Sequence, residues 1–150
     1  MIYAQNNRYD VVLKQQSATN GATLTSDVID TMGYDYCEIV VHGTTSDAAT
    51  NNPATLKVTE CDTTVATDFA NVSGFLGDTD FTIPNSPTAT TTAPFAIFGV
   101  DTRKRKRYLK VLVSPLTTQT FSVIAIQGMG RSAQAPVGTT DQNVAVIVNG

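Results

Sequence analysis

Tryptophan is absent, histidine occurs once, cysteine twice, and only 15% of the residues are charged. Each shortage excludes something. With His42 as the sole histidine there is no His-x-His or His-x-x-x-His pair to hold a metal. Nucleophilic catalysis is left with one candidate imidazole base. Cys37 and Cys61 are too few for a zinc site without further ligands, and they read as two small buried thiols in a reducing compartment. No stretch of 18 apolar residues occurs, and Met1 to Asn7 lacks the basic start and apolar middle of an export signal, so no membrane partner is expected. Apolar clusters at helical spacing are missing too, which argues against long helices.

What is there favours strands. The chain is rich in threonine, whose branched Cβ fits a pleated surface and loses rotamer freedom in a helix. Apolar residues alternate with period two in Tyr9–Leu13, Tyr36–His42, Leu56–Thr59, Tyr108–Val113 and Phe121–Gln127. Weaker segments lie around Phe69 and Val72, over Phe95–Val100 and over Asn143–Val148. Ser26 to Met32 reads as a strand with a bend more than as a short helix. Breaker clusters separate these segments, above all Gly43 to Pro53 and the long Gly77 to Pro94 stretch. Sequential strands without helical spacers predict an all-β fold, an antiparallel β-sandwich of about seven or eight short strands with long loops. At 150 residues one domain is expected. Residues 1–137 would form the sandwich core with an N-terminal arm, and 138–150 a tail or last strand of the same domain.

Candidate chemistry is sparse. Asp78 with Asp80, and Glu60 with Asp62, are close carboxylate pairs, but a calcium loop normally supplies more oxygen ligands. Gly128-Met129-Gly130-Arg131 lacks the Lys-Ser or Lys-Thr ending of a phosphate-binding loop and reads as a turn after a strand. Neither catalysis nor a cofactor is expected.

Positive charge, by contrast, is concentrated. Arg103, Lys104, Arg105, Lys106 and Arg107 are consecutive, and removing them would take the net charge from −3 to −8. Such asymmetry concerns partners and association, not fold. Three readings stand. The run is a solvated hairpin whose charges keep a strand edge from pairing with strangers; or it docks on an acidic protein surface through bidentate guanidinium contacts; or it binds nucleic acid. Only Tyr108 adjoins it as a stacking platform, and the overall pI is near 4.9, so nucleic acid is not the expected partner. The strand is expected to enter the sandwich near Tyr108, leaving the cations as a rim at one end.

Several segments occur together in one order: Thr19-Asn20-Gly21-Ala22-Thr23, then Asp30-Thr31-Met32-Gly33-Tyr34-Asp35, Leu56-Lys57-Val58-Thr59-Glu60-Cys61-Asp62, Lys106-Arg107-Tyr108-Leu109-Lys110-Val111, and Gly128, Arg131 and Pro136. Over residues 19–137 this resembles the capsid cement or decoration proteins of tailed bacteriophages. The resemblance implies a non-enzymatic, β-rich protein that binds the outside of the assembled capsid and bridges neighbouring capsomers. Its implied partners are the major capsid protein and further copies of itself, as a trimer or dimer at a symmetry axis, and its implied place is the virion surface after assembly in the host cytoplasm. Arg103 to Arg107 are then the expected contacts with capsid or neighbouring subunit. Two features depart from the family pattern: five cations stand where a Lys-Arg pair is usual, and the tail beyond Pro136 is extra, suited to strand addition onto another subunit or to closing its own sheet. The alternative function is a carbohydrate- or receptor-binding module acting through its loops.

Overall fold

The computed structural model describes residues 7–19, 21–43, 53–83, 96–116, 118–129 and 146–149. Among them are ten strands: β1 Asn7–Ala18, β2 Leu24–Thr25, β3 Ile29–Asp30, β4 Tyr36–Gly43, β5 Thr55–Cys61, β6 Ala70–Leu76, β7 Ala96–Asp101, β8 Tyr108–Ser114, β9 Gln119–Gly128 and β10 Val146–Asn149. They form two sheets. The first has the order β1-β9-β4-β7-β10; the second runs β2-β8-β5-β6, with β3 also pairing β8. Every pairing is antiparallel except β10 on β7. The expected all-β sandwich is what forms.

Period two explains the packing. In β4, Cys37, Ile39 and Val41 are buried while Glu38, Val40 and His42 face the other way. β9 buries Phe121, Val123 and Ala125 beside them, and β8 buries Leu109, Val111 and Val113 from the opposite sheet. Two rings cross-link the layers, because Phe98 of β7 meets Phe75 of β6 edge-on with centroids 6.0 Å apart and Phe81 at 5.7 Å. Of the short strands, β2 and β3 pair with opposite ends of β8. Between them the Ser26 side chain accepts from the Val111 N–H at 2.9 Å while the Ser26 N–H donates to the Val111 carbonyl. A hydroxyl thus fills the ladder between the two short strands; of the bent strand expected over Ser26 to Met32, only Ile29–Asp30 forms.

Consecutive strands mostly change sheet; β5 and β6 are the one sequential pair joined in a hairpin fashion among the described residues. The tail is settled as well: β10 is a strand of the chain's own sheet, with Ile147 opposite Ile97 and Val148 opposite Phe98. The expected turn at Gly130 and Arg131, Pro136, and residues 84–95 of the long loop lie outside the described residues.

Candidate functional site at the basic arch

The five cations lie in the connection from β7 to β8, which leaves one sheet at Asp101 and enters the other at Tyr108. The connection is therefore an arch between layers and not a hairpin within one. A 3-10 turn over Thr102–Lys104 starts it, with the Asp101 carboxylate accepting from the Arg103 N–H. Both ends are pinned to the segment that follows β3. Thr102 donates its N–H to Asp35 O at 3.1 Å and its hydroxyl to the Tyr34 carbonyl. Thr31 donates both its N–H, at 3.0 Å, and its hydroxyl, at 2.7 Å, to the Arg107 carbonyl. Gly33, at φ 85°, supplies the left-handed turn that lets residues 31–35 reach both ends.

The side chains meet carboxylates of the same chain. Arg103 grips Asp101 with two bonds of 2.9 and 2.8 Å, and Arg107 grips Asp30 with two of 2.8 and 2.7 Å. The Lys106 ammonium lies 3.9 Å from Asp62, while its N–H donates to Glu60 at 3.0 Å. Arg105 lies over the Phe75 ring, 5.5 Å from its centroid, and donates to the Ser73 carbonyl at 3.3 Å. Lys104 is exposed and makes no ion pair among the described residues. Three carboxylates thus pair with three of the five cations, and a fourth, Glu60, accepts from the Lys106 backbone N–H. The sequence predicts a rim of strong positive potential; folding offsets part of it with Asp30 of β3, Asp62 just after β5 and Asp101 at the end of β7. What remains outward is Lys104 with the exposed sides of Arg103, Lys106 and Arg107.

Hydrogen bonding from Arg103 holds the Asp101 carboxyl down at about 2, and the Arg107 guanidinium likewise lowers Asp30. Carboxylates with depressed folded values stabilise the fold above their unfolded value, about 3.9, and lose that contribution as pH falls toward the folded value. Both pairs are solvent-exposed and screened, so the effect is small. The expected result is that Asp30→Asn lowers the thermal midpoint at pH 6 and that the gap to the unsubstituted protein narrows as the pH falls below the ordinary carboxylate range, as followed by circular dichroism across the acid range.

The other candidates are also placed. Asp80 accepts from the N–H groups of Gly74 and Leu76 at 2.8 and 2.9 Å, and Asp78 from the Ile83 N–H at 3.3 Å. Those carboxylates organise the turn after β6. Among the described residues no group of three His, Cys, Asp or Glu side chains could hold a metal. His42 faces outward at the end of β4 opposite Ser122, beside a dent of about 170 Å³, and among the described residues no hydrogen bond joins the two. Cys37 and Cys61 are free and buried; burial first, then the charges of Glu38 and Asp10, push the Cys37 thiol up to about 12. It has no nucleophilic character at neutral pH.

One surface was missed by sequence reasoning. On the outward face of the first sheet, Val11, Ile124, Val40 and Ile97 are in register across four adjacent strands. Exposure falls along this row from 59% at Val11 and 39% at Ile124 to 9% at Ile97. Tyr9, 58% exposed, stands opposite Ile126 in the next row. Alternation alone marks each residue as outward; only the register aligns them.

Comparison with protein-family models, with curated proteins and with solved structures found no match to this chain.

Proposed function

We propose that this chain is a non-enzymatic structural protein of a phage virion, one that binds the outside of the assembled capsid and holds neighbouring capsomers together. The observation that carries the reading is the junction of two of the resembling segments. Asp30 to Asp35 and Lys106 to Val111 lie far apart in sequence, yet they meet through the Asp30–Arg107 fork and the Thr31 bonds to form the arch. Segments distant in sequence that fold into one braced feature hold the cations in a fixed position from which to dock. The fold adds to it a rigid two-layer body, and the arch presents its cations at one end.

The partner is the major capsid protein, contacted by the outward cations of the arch. Because the arginines are already engaged by Asp30 and Asp101, attachment rests on Lys104 and Lys106 and on the exposed sides of the guanidinium groups. Each contact is weak, as exposed ion pairs are. Repetition over a capsid lattice supplies the avidity. No nucleic acid, membrane or cofactor enters this reading.

The test is binding to purified heads, with position determined by electron microscopy. Copies are expected on the outer shell. The double variant Lys104→Glu with Lys106→Glu is expected to cut occupancy about tenfold or more at moderate salt, since it reverses rim charges. The same variant should lower the unfolding temperature only slightly, because both side chains are exposed and the Lys106 pair with Asp62, at 3.9 Å, is screened by solvent. Unaltered occupancy removes the arch from the interface. Binding of glycans by the isolated protein, with no affinity for heads, favours the carbohydrate- or receptor-binding alternative.

A further inference from the structure

β1 is an edge strand. It pairs with β9 on one side, in unbroken register from Asn7 opposite Gly128 to Val11 opposite Ile124. Among the described residues nothing hydrogen-bonds the other side of this stretch. Beyond it the strand is no longer regular: the register shifts between Val11 and Leu13 and again before Gln16, the Val12 carbonyl accepts from Asp27 N–H, and Lys14 follows. Natural edges are blunted by bulges, lysines, prolines or inward-pointing charges. Here the bulges and the lysine protect only the far half. Asn7 to Val11 remains a regular, unbulged five-residue edge flanked on its outward face by the exposed Tyr9 and Val11.

Two charges do point toward the inner side of this edge, Arg8 and Asp10, and they bond each other at 2.6 Å. One charge of one sign would repel an identical strand. A plus and a minus two residues apart are self-complementary instead. When a second copy of Asn7–Val11 is laid antiparallel with Tyr9 facing Tyr9, Arg8 stands opposite the second copy's Asp10, and Asp10 opposite its Arg8. The arrangement is isologous, as a two-fold interface requires. Cross-strand pairs of opposite charge stabilise a ladder, and like charges directly opposite destabilise it.

From this register and charge pattern we infer that the Asn7–Val11 edge docks a second copy of the same chain by antiparallel strand addition about a two-fold axis at Tyr9. The first sheets of the two copies become one ten-stranded sheet. The row of Tyr9 and Ile126 meets its symmetry mate at the axis, and Val11 stands opposite the second copy's Asn7. Asn7 and Asp101 lie at the same end of their sheet, through Gly128 and Tyr36. Because the axis lies close to the Asn7 end, antiparallel pairing leaves the two basic arches on opposite flanks of the joined sheet, facing opposite ways along the strands. The inference deepens the proposed function by naming the self-contact, but it is read on the free protein and does not depend on heads.

Sedimentation of the purified chain tests it. The protein is expected at twice the chain mass of 15.9 kDa. Arg8→Asp alone places four acids at the axis, and Asp10→Arg alone places four cations there; each is expected to sediment as a monomer. Mixing these two variants should restore a one-to-one dimer, and the exchange variant carrying both substitutions should dimerise by itself. Recovery on mixing also shows that each single variant is folded. A wild-type protein that stays monomeric up to millimolar concentration overturns the inference, as does a dimer indifferent to both reversals. Monomers found decorating heads would leave the proposed function standing and remove only the two-fold contact.

Discussion

Replacing Phe98 by alanine is expected to lower the unfolding free energy by about 3–5 kcal/mol, the range for a buried phenylalanine. The ring is fully buried, it sits on β7, an interior strand of the first sheet, and it carries both edge-on contacts between the layers, to Phe75 and Phe81. Truncation removes the ring's own burial and strips both neighbours of a packing partner. The β-strands around it are held in two ladders and cannot collapse into the space. Against a total stability of about 5–15 kcal/mol for a domain, such a loss is large. Urea denaturation is the measurement. The midpoint should fall while the slope stays constant, since the surface exposed on unfolding hardly changes. A loss under about 1 kcal/mol would mean that the two layers do not meet at Phe98.

The second large effect is expected at Gly77, which follows β6 and bridges to Phe81. A Cβ added there would lie 2.6 Å from the Leu56 carbonyl oxygen and 2.6 Å from both Cγ1 and Cδ1 of Ile83. Ile83 can rotate; the Leu56 oxygen cannot move freely, because it is the acceptor of the Gly77 N–H at 3.0 Å on the central strand β5. Gly77→Ala therefore has to push β6 away from β5 or give up that bond, at a cost of about 1–3 kcal/mol. The turn held by Asp78 and Asp80 should loosen with it. Native-state hydrogen exchange reads both effects, as faster exchange at the Gly74 and Leu76 amides that Asp80 now accepts from. An unchanged denaturation midpoint would show that the close approach is not maintained in solution.

Legibility in the sequence followed the range of the interactions involved. Alternation is local, so strands such as Tyr36–Gly43, Tyr108–Ser114 and Gln119–Gly128 stood out close to their observed limits. β2 and β3 are two residues each and too short to carry a period; the serine that joins them is recognisable only beside Val111. The basic run was conspicuous, and so was the strand beginning at Tyr108. Its electrostatic character was misjudged. Asp30 is 77 positions from Arg107 and Glu60 is 46 from Lys106, and nothing local announces that the first pairs with the guanidinium or that the second accepts from the Lys106 backbone N–H. The apolar row from Val11 to Ile97 escaped for the same reason, since each member looks like an ordinary outward strand residue until the ladders align them.

By itself the sequence determined the class of structure and the chemistry it lacks. Threonine-rich, period-two segments with breakers between them have only sheets open to them, and one histidine with two cysteines leaves little reactive material. Tertiary structure decided how that material is used: which strands neighbour which, that the cations span the gap between layers with three of them paired to the chain's own acids, and that β1 keeps a regular edge over Asn7–Val11 carrying Arg8 and Asp10. The physical reason is that pattern and propensity act between residues a few positions apart, whereas register, charge pairing and edge exposure exist only once distant strands have met.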